Sequence, residues 1–503
     1  MKGSNRGDGN VRNYKKTVSG FTWTLGANFA QVVTQIVVLM ALARLVEPED
    51  FGLLSAAMVV VAFSMIFTSL GVGPAIVQRE HLEIEHIKTG QTTSLLFGLA
   101  SFATVYSVSP LISGFFRNPG LVDVVRALSV IFLIQGFSMV SEALYQRELN
   151  FKKLARVQVV SYVFGYGAVT ITVALLGFQV WALVCGHLSQ EIIKSAMLMA
   201  GQRRKLSYGF NKDAFRELMY FGGGFTLARV FNFAALQGDN IVVGRALGAE
   251  ALGLYGRVYQ LMALPAVTLG QVLDKVLFPV MSRIQGEPQR LKEMFCRGIA
   301  LVALFVIPFS VYCYVHAQEI IHLVLGPAWN ELQIPFQIFS LAMFFRAGYK
   351  ISESLARATG SVYRRAWRQA IYAGSVIGGA WIGHYWGLEG VVSAVLVALI
   401  LNYLLMAQLS LGIVQMRWRT FFGLHIGPLL IASLTGIILM SSSQFFKALA
   451  FDDAAVIILD FAIFAILFMV SAYAYLRNAM NKRKITVKDV LHYLQDNEKE
   501  RLR

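Results

Sequence analysis

Charged residues inside long apolar stretches are the part of this sequence most able to do chemistry. Arg229, Arg346 and Lys350 each lie in such a stretch, and Glu353 follows Lys350 by three positions. A charge at the centre of a membrane span costs about 3 kcal/mol on insertion scales, so such residues usually face a cavity or a charged partner. Arginine offers paired donors to phosphate oxygens, so these cations favour a diphosphate-like anion. Structural pairing, such as Lys350 with Glu353, is the alternative.

Uncharged polar residues form a second pattern near the start of the chain. Asn28, Gln31 and Gln35 are spaced by three and four positions, which places them on one face of an apolar helix. At an offset of 204, Asn232 and Asp239 repeat the positions of Asn28 and Gln35. Lining of a cavity and hydrogen bonding between helices explain the amides equally well. The predicted substrate-binding set is Arg229, Arg346, Lys350, Asn28, Asn232, Gln31, Gln35 and Asp239.

The elements that hold these residues are membrane helices. The chain has 503 residues, of which 56% are hydrophobic and 15% charged, and its mean hydropathy is +0.58. Such a composition exceeds what a soluble core can bury. Apolar runs of about 20 residues recur along the whole chain, the length that crosses the hydrocarbon core as a helix. A closed barrel would show shorter alternating segments.

We predict an all-α polytopic membrane protein of about fourteen transmembrane helices. The first is too long for a signal-peptide core, so it is expected to be retained. The predicted spans are 18–43, 51–77, 90–114, 121–144, 157–177, 180–200, 214–238, 251–280, 294–317, 332–356, 366–386, 388–411, 420–443 and 454–476.

The distribution of positive charge predicts the orientation. The net charge is +16, and with both termini in the cytoplasm almost all Lys and Arg outside the spans fall on the inner side. The exceptions are Arg44, Arg117, Arg245 and Lys447. This asymmetry is the positive-inside rule, so nucleic-acid binding is not needed to explain the charge. The segments 1–17 and 477–503 are predicted to be a cytoplasmic N-terminal segment and a cytoplasmic basic tail.

One phrase occurs twice in the chain. "ARLVEPEDFGLL" begins at Ala43, and "GRALGAEALGLY" begins at Gly244, so that Gly52 and Gly253 correspond at an offset of 201. The proline and acids of the first copy suit the first turn of a helix. Because six spans separate the copies, the predicted lobes 18–200 and 214–411 are parallel repeats related by an axis along the membrane normal, and 420–476 forms two accessory helices.

Two longer stretches of the sequence, each containing one copy of this phrase, resemble a known family. "LARLVEPEDFGLLSAAMVVVAFSMIFTSLGVGPAIVQRE" and "GDNIVVGRALGAEALGLYGRVYQLMALP" are similar to polysaccharide-exporting flippases of the Wzx and teichuronic-acid exporter type. These belong to the multidrug, oligosaccharidyl-lipid and polysaccharide exporter superfamily. The resemblance covers roughly residues 18–411. It implies a V-shaped bundle that moves undecaprenyl-diphosphate-linked oligosaccharides from the inner to the outer leaflet of a bacterial inner membrane, for export of a lipopolysaccharide or exopolysaccharide.

The expected cargo and partners follow from this resemblance. The diphosphate would meet the cations, and Asn28 and Asn232 would meet sugar hydroxyls, in a cavity opened alternately to each side. The expected partners are the lipid-linked oligosaccharide, the bilayer and polysaccharide polymerase or export proteins. No cofactor or metal is expected, because Cys185, Cys296 and Cys313 have no metal-ligand spacing.

Two other functions remain open. An exporter of drugs or lipid intermediates driven by Na⁺ or H⁺ would need an intramembrane acid, for which Asp239, Asp274, Glu353 and Asp460 are candidates. A membrane-embedded polysaccharide polymerase or ligase would need a positioned acid, base or nucleophile. The sequence has no P-loop, GxSxG or metal signature, so we expect no enzyme.

Overall fold

The computed structural model describes residues 32–79, 81–202 and 207–483, and this part of the chain is helical with short connections. At some helical positions, Asn232 among them, the backbone alone is described. The α-helices are α1 Val32–Leu42, α2 Pro48–Ser69, α3 Val72–Gln78, α4 Ile84–Phe116, α5 Leu121–Arg147, α6 Phe151–Val160, α7 Val169–Leu175, α8 Gln179–Ala200, α9 Lys212–Ala246, α10 Ala249–Arg283, α11 Pro288–Val315, α12 Ala317–Val324, α13 Gln333–Ala358, α14 Val362–Gly383, α15 Gly387–Ile413, α16 Trp418–Ala448 and α17 Asp453–Arg483.

The predicted fold class is confirmed: the chain is an all-α polytopic membrane protein. Within the described residues, eight helical stretches are long and apolar enough to cross a membrane. The total of fourteen spans and the division into 18–200, 214–411 and 420–476 stay predictions. Residues 18–31 of the first predicted span, the segment 1–17 and residues 484–503 of the tail lie outside the described residues.

The second predicted span, 51–77, is two helices rather than one. Pro48 begins α2, with Glu49 and Asp50 in the first turn, as the sequence indicated. The helix ends because Leu70 and Gly71 both adopt positive φ, 34° and 70°. A left-handed pair cannot continue an α-helix, so α3 starts in a new direction.

The predicted span 157–177 is also interrupted, by a π-helical segment, Ser161–Ala168, between α6 and α7. Gly165 lies in this segment, directly against the backbone of Gln190 in α8. A side chain at Gly165 would overlap that backbone, so the glycine permits the close approach of the two helices. Hydrophobic periodicity alone does not reveal such a local change in winding.

The two copies of the repeated phrase contact each other where α2 and α10 begin. A Cβ on Gly52 would overlap the carbonyl oxygen of Ala249, and a Cβ on Gly253 would overlap the carbonyl oxygen of Pro48. Pro48 and Ala249 also differ by 201 in sequence, so the contact is reciprocal. We call this end of the bundle, where residues 48–52 meet 249–253, the glycine end.

The connection from α11 to α13 covers the glycine end. It contains α12 and a 3₁₀ segment, Pro327–Leu332. Arg44 Nη2 donates to the carbonyl of Leu323 at 2.7 Å, and the indole of the fully buried Trp329 donates to the carbonyl of Ala43 at 2.9 Å. The Trp329 ring also meets the edge of Phe51, with ring centroids 5.6 Å apart. These contacts join the first quarter of the chain to the α11–α13 connection.

The opposite end of the bundle is joined by side chains. Arg79 and His86 both contact the carboxylate of Glu217 on α9, His86 Nε2 at 3.0 Å from Glu217 Oε2. Arg147 Nη1 donates to the carbonyls of Ile76 and Arg79 and thereby fixes the segment after α3. We call the group of Arg79, His86 and Glu217 the ion-pair end.

Candidate functional site

Arg346 lies in the interior formed by α9, α10, α13 and α14. The residue is 9% exposed, and its guanidinium carbon is 5.8 Å from the ring centroid of Tyr259, a cation–π distance. Nη1 of Arg346 is 3.5 Å from the hydroxyl oxygen of Tyr372. The acid that interacts with Arg346 is Asp239, whose Oδ2 accepts a hydrogen bond of 2.6 Å from Tyr255. The structure therefore brings together two predicted site residues, Arg346 and Asp239, through tyrosine side chains.

Lys350 is paired rather than free. Its Nζ donates to Glu353 Oε2 at 2.8 Å, and Arg365 contacts the other oxygen of the same carboxylate. The sequence offered this pairing as the structural alternative. The Lys350 side chain is still 37% exposed, so it can reach a ligand, whereas Glu353 is occupied on both oxygens. Of these two acids, the one that balances Arg346 is therefore Asp239 and not Glu353.

Two arginines of the second half reach helices of the first half. Arg229 Nη1 donates to Ser69 Oγ, in the last turn of α2, at 3.1 Å. Arg257 stacks on the ring of Phe51, 4.7 Å from its centroid, and interacts electrostatically with Tyr162 and Tyr166. These arginines carry positive charge onto the surface between the two halves of the chain.

Arg257 is the residue that sequence reasoning missed. It lies eight residues after the start of α10, and a position that near a helix end is usually explained by the charge reaching out to the membrane surface. In the structure it points across to the first half instead, and its Nε is buried without a hydrogen-bond partner in the described part of the chain. The sequence signal that could have identified Arg257 is its position just after the second copy of the glycine phrase, which ends at Tyr255.

The predicted amides are only partly described. Asn28 and Gln31 lie outside the described residues, and for Asn232 the backbone places it on α9. Gln35 lies on α1 and is half-buried. Their predicted contacts with a ligand therefore stay predictions. Within residues 32–79, 81–202 and 207–483, no group of three or more His, Cys, Asp or Glu side chains could hold a metal ion.

Comparison with solved structures supports this architecture. The lipid II flippase MurJ in an inward closed conformation matches with a TM-score of 0.73 at 14% identity, covering 90% of this chain and 98% of that one. An inward-facing multidrug MATE transporter of the MOP superfamily matches with a TM-score of 0.62 at 16% identity, covering 76% and 95%. At these identities the likeness shows the fold alone.

Curated relatives match along most of their length. Teichuronic acid biosynthesis protein TuaB of Bacillus subtilis (strain 168) is 23% identical over 490 residues, 93% of this chain and 98% of TuaB. Lipopolysaccharide biosynthesis protein WzxC of Escherichia coli (strain K12) is 24% identical over 84% of this chain and 88% of WzxC. The family model described as "Polysaccharide biosynthesis protein" matches residues 41–334, a stretch that contains both glycine phrases and both arginines between the halves. This chain therefore belongs to the polysaccharide biosynthesis protein family and has the fold of the MOP-superfamily transporters.

Proposed function

We propose that this protein flips lipid-linked oligosaccharide units from the inner to the outer leaflet of a bacterial cell membrane for export of a surface polysaccharide. The lipid is proposed to be undecaprenyl diphosphate. Family membership supports the polysaccharide assignment, and the succinoglycan biosynthesis transport protein ExoT of Rhizobium meliloti (strain 1021), 23% identical over 63% of this chain, supports transport.

The observation that carries the proposal is positive charge on the surface between the two halves. Arg229 and Arg257 contact helices of the first half, and Lys350 is partly exposed. Cations inside a membrane bundle usually face a cavity or a charged partner, and a diphosphate supplies two or more negative charges with oxygens that arginine can bind in pairs. We propose that the buried guanidinium of Arg346 adds to the positive electrostatic potential of this surface. Asp239, Tyr259 and Tyr372 hold it in place.

The mechanism proposed is alternating access. Residues 18–200 and 214–411 move as two lobes, and the cargo head group is held between them while each end opens in turn. Asn28, Gln31, Gln35 and Asn232 are proposed to bind sugar hydroxyls. The sugar chain then crosses the membrane in a polar path while the lipid tail stays in the bilayer.

The experiment is deletion and complementation in a strain that makes the polysaccharide. Cells without the gene should lose surface polysaccharide and accumulate lipid-linked oligosaccharide on the inner leaflet. Arg229→Glu and Arg346→Glu should fail to complement at normal membrane abundance, because each removes an attraction and adds a repulsion in a poorly screened interior. Arg346→Lys should complement partly, since it keeps the charge and loses the fork of donors. Normal polysaccharide from both glutamate variants would contradict the site.

A structural role for Arg346 has its own control. If Arg346 only balances Asp239, Arg346→Ala should lower abundance and Arg346→Ala with Asp239→Asn should restore it. If Arg346 acts on cargo, Arg346→Ala should stay abundant and export poorly. The double variant with Glu353 does not test this, because Glu353 pairs with Lys350 and Arg365.

An ion-coupled exporter of drugs or lipid intermediates is the second candidate. The observation that favours it is the buried carboxylate of Asp239, since ion coupling uses intramembrane acids. Accumulated lipid-linked oligosaccharide in the deletion strain would reject drug export as the main function, and drug sensitivity without such accumulation would support it. A polymerase or ligase is least supported, because the structural neighbours are a flippase and a transporter and the relative ExoT is named a transport protein.

The orientation is also a proposal, with both termini cytoplasmic and the glycine end outside. Glu49 and Glu389 are exposed, and they lie in the first turns of α2 and α15. Single cysteines at these positions, in a background without Cys185, Cys296 and Cys313, should react in intact cells with an impermeant thiol reagent. A cysteine at Ser361, at the other end of α13, should not react, and labelling there would reverse the orientation.

A further inference from the structure

A cluster of ionisable side chains lies away from the proposed cargo site, where α11, α12, α16 and α17 meet. His316 separates α11 from α12, Glu319 lies in the first turn of α12, and Asp460 lies on α17. All three are at most 2% exposed. His316 Nε2 is 3.4 Å from Asp460 Oδ2, and His316 Nδ1 is 4.0 Å from Glu319 Oε2. Lys447, from the end of α16, pairs with Glu319.

The imidazole faces a carboxylate oxygen on each side, and hydrogen bonds are missing from this arrangement. Asp460 Oδ1 accepts from Ser442 at 2.5 Å, and Glu319 Oε1 is paired with Lys447. In the described part of the chain, both ring nitrogens of His316, Glu319 Oε2 and Asp460 Oδ2 make no hydrogen bond. A neutral imidazole has one N–H donor, so its other ring nitrogen, which carries a lone pair, would face a carboxylate oxygen. A protonated imidazole has a donor for each carboxylate.

The charges of the cluster also leave room for one cation. Glu319 and Asp460 carry two negative charges, and Lys447 supplies one positive charge. The neighbouring Tyr312 and Cys313 on α11 are neutral near neutral pH. On α12 and α17, His322 and Asp453 form a separate, more exposed pair. A buried group with an uncompensated charge is strongly disfavoured, so the cluster needs one further proton, and the His316 imidazole is the group that lies between both carboxylates.

We propose that His316 is a proton-binding site: it takes one proton from water and, as an imidazolium between Glu319 and Asp460, fastens α12 to α17. A proton fits better than a metal ion, because the centre of the cluster is an imidazole and the described residues form no metal-binding group. No cargo is needed for this proton to bind.

Helix α12 connects the proton-binding site to the glycine end. The same helix α12 that starts at the cluster ends at Leu323 and Val324, whose carbonyls accept from Arg44. The 3₁₀ segment that follows carries Trp329, which donates to Ala43. Loss of the proton leaves two carboxylates with one lysine, and their repulsion loosens the helix that covers the glycine end. The proton therefore favours the closed glycine end.

The test uses the full-length protein purified in detergent micelles, with His322→Gln as the parent so that the exposed histidine does not contribute. The melting temperature is measured at about pH 6 and about pH 8.5, on either side of ordinary histidine titration. The parent should melt several degrees lower at the higher pH. Asp460→Asn removes the charge that the proton balances, so this variant should lose most of that difference. Asp453→Asn, a matched control on the same helix outside the cluster, should keep it.

A charge-balance experiment completes the test. His316→Gln cannot carry the proton and should reduce membrane abundance several-fold, whereas His316→Gln with Asp460→Asn should recover it, because the cluster is then neutral. A full pH effect in Asp460→Asn, or a double variant no more abundant than His316→Gln, would overturn the proposal. Neither result depends on cargo, so failure here leaves the proposed flippase activity to its own test.

Discussion

The two ends of the bundle are held together by different kinds of contact. At the glycine end, backbone meets backbone: Gly52 lies against Ala249 and Gly253 against Pro48. At the ion-pair end, side chains meet: Arg79 and Glu217 are paired while 29% and 49% exposed. Leu218 is buried there as well, against the apolar cluster that contains Ile76.

This difference determines how each end can open. Exposed ion pairs contribute about 0–1 kcal/mol, because water replaces the partner when they separate. At the glycine end, α2 and α10 approach closely only because Gly52 and Gly253 lack side chains, so one helix cannot slide a short way along the other. Separating these helices exposes buried backbone and aromatic surface at the same time. We therefore expect the ion-pair end to open easily and in small steps, and the glycine end to open in one larger step.

The largest expected effect is at Gly253. In Gly253→Leu the new side chain would occupy the position of the Pro48 carbonyl, and overpacking of this kind costs about 1–3 kcal/mol or more. The closed glycine end should therefore become about ten-fold or more less populated, and surface polysaccharide should fall. Disulfide formation between cysteines at Ala41 and Val243, followed in membranes, reports closure.

Gly256→Ala is the matched control for that prediction. Gly256 lies on the same helix, and its nearest neighbour to an added Cβ is Ser55 Oγ at 3.4 Å, an ordinary contact. It should export and cross-link normally. Equal damage from Gly256→Ala and Gly253→Leu would show that α10 tolerates no change anywhere, and the comparison between the ends would lose its basis.

A smaller loss is expected at Trp329. Trp329→Phe keeps an aromatic ring near Phe51 and removes the donor to the Ala43 carbonyl. The loss of one buried hydrogen bond with some volume should destabilise the closed glycine end by about 1–2 kcal/mol. A lower melting temperature with reduced cross-linking would confirm this. Trp367→Phe, at a position 69% exposed, should match the native protein, and no difference between the two variants would count against the role of Trp329.

The pH dependence at His322 should be weaker. The Asp453 carboxylate, 3.0 Å from Nδ1, raises the pKa of His322. A raised pKa in the folded state gives stability that is complete below the ordinary value of about 6.5 and is lost as the pH rises through the raised value. The melting-temperature difference between the native protein and His322→Gln should shrink over that interval. The exposed His81→Gln is the control, and a difference that grew with pH would contradict the assignment.

The smallest effect is predicted at the ion-pair end. Arg79→Gln or Glu217→Gln should change the free energy of unfolding by less than about 1 kcal/mol, because the pair is exposed. Export should persist in both. The exchanged pair, Arg79→Glu with Glu217→Arg, tests charge alone and should resemble the single variants. A ten-fold loss of export from Arg79→Gln would contradict this prediction, because it would show that the ion pair stabilises the closed ion-pair end more than an exposed pair should.

How much the sequence predicted depends on the range of the interaction. The start of α2 at Pro48 follows from local preferences, and the pairing of Lys350 with Glu353 follows from helical spacing, so both features could be predicted from the sequence. The break at Leu70 and the π segment at Gly165 depend on how neighbouring helices approach, which no periodicity records. The partner of Arg346 was not identified from the sequence because Asp239 precedes it by more than a hundred residues. An even larger separation in sequence hid the role of Arg257, whose partner is Phe51.

The reciprocal glycine contact has a consequence for assembly. Gly52 contacts Ala249, and its counterpart Gly253 contacts Pro48, the counterpart of Ala249. The same patch of surface is therefore used twice, as in the isologous interface of a two-fold dimer. A chain with only one copy of the phrase would present that patch to a second copy of itself. The joined chain thus has, inside one polypeptide, the interface of a symmetric pair, and a substitution in either copy affects both sides of it.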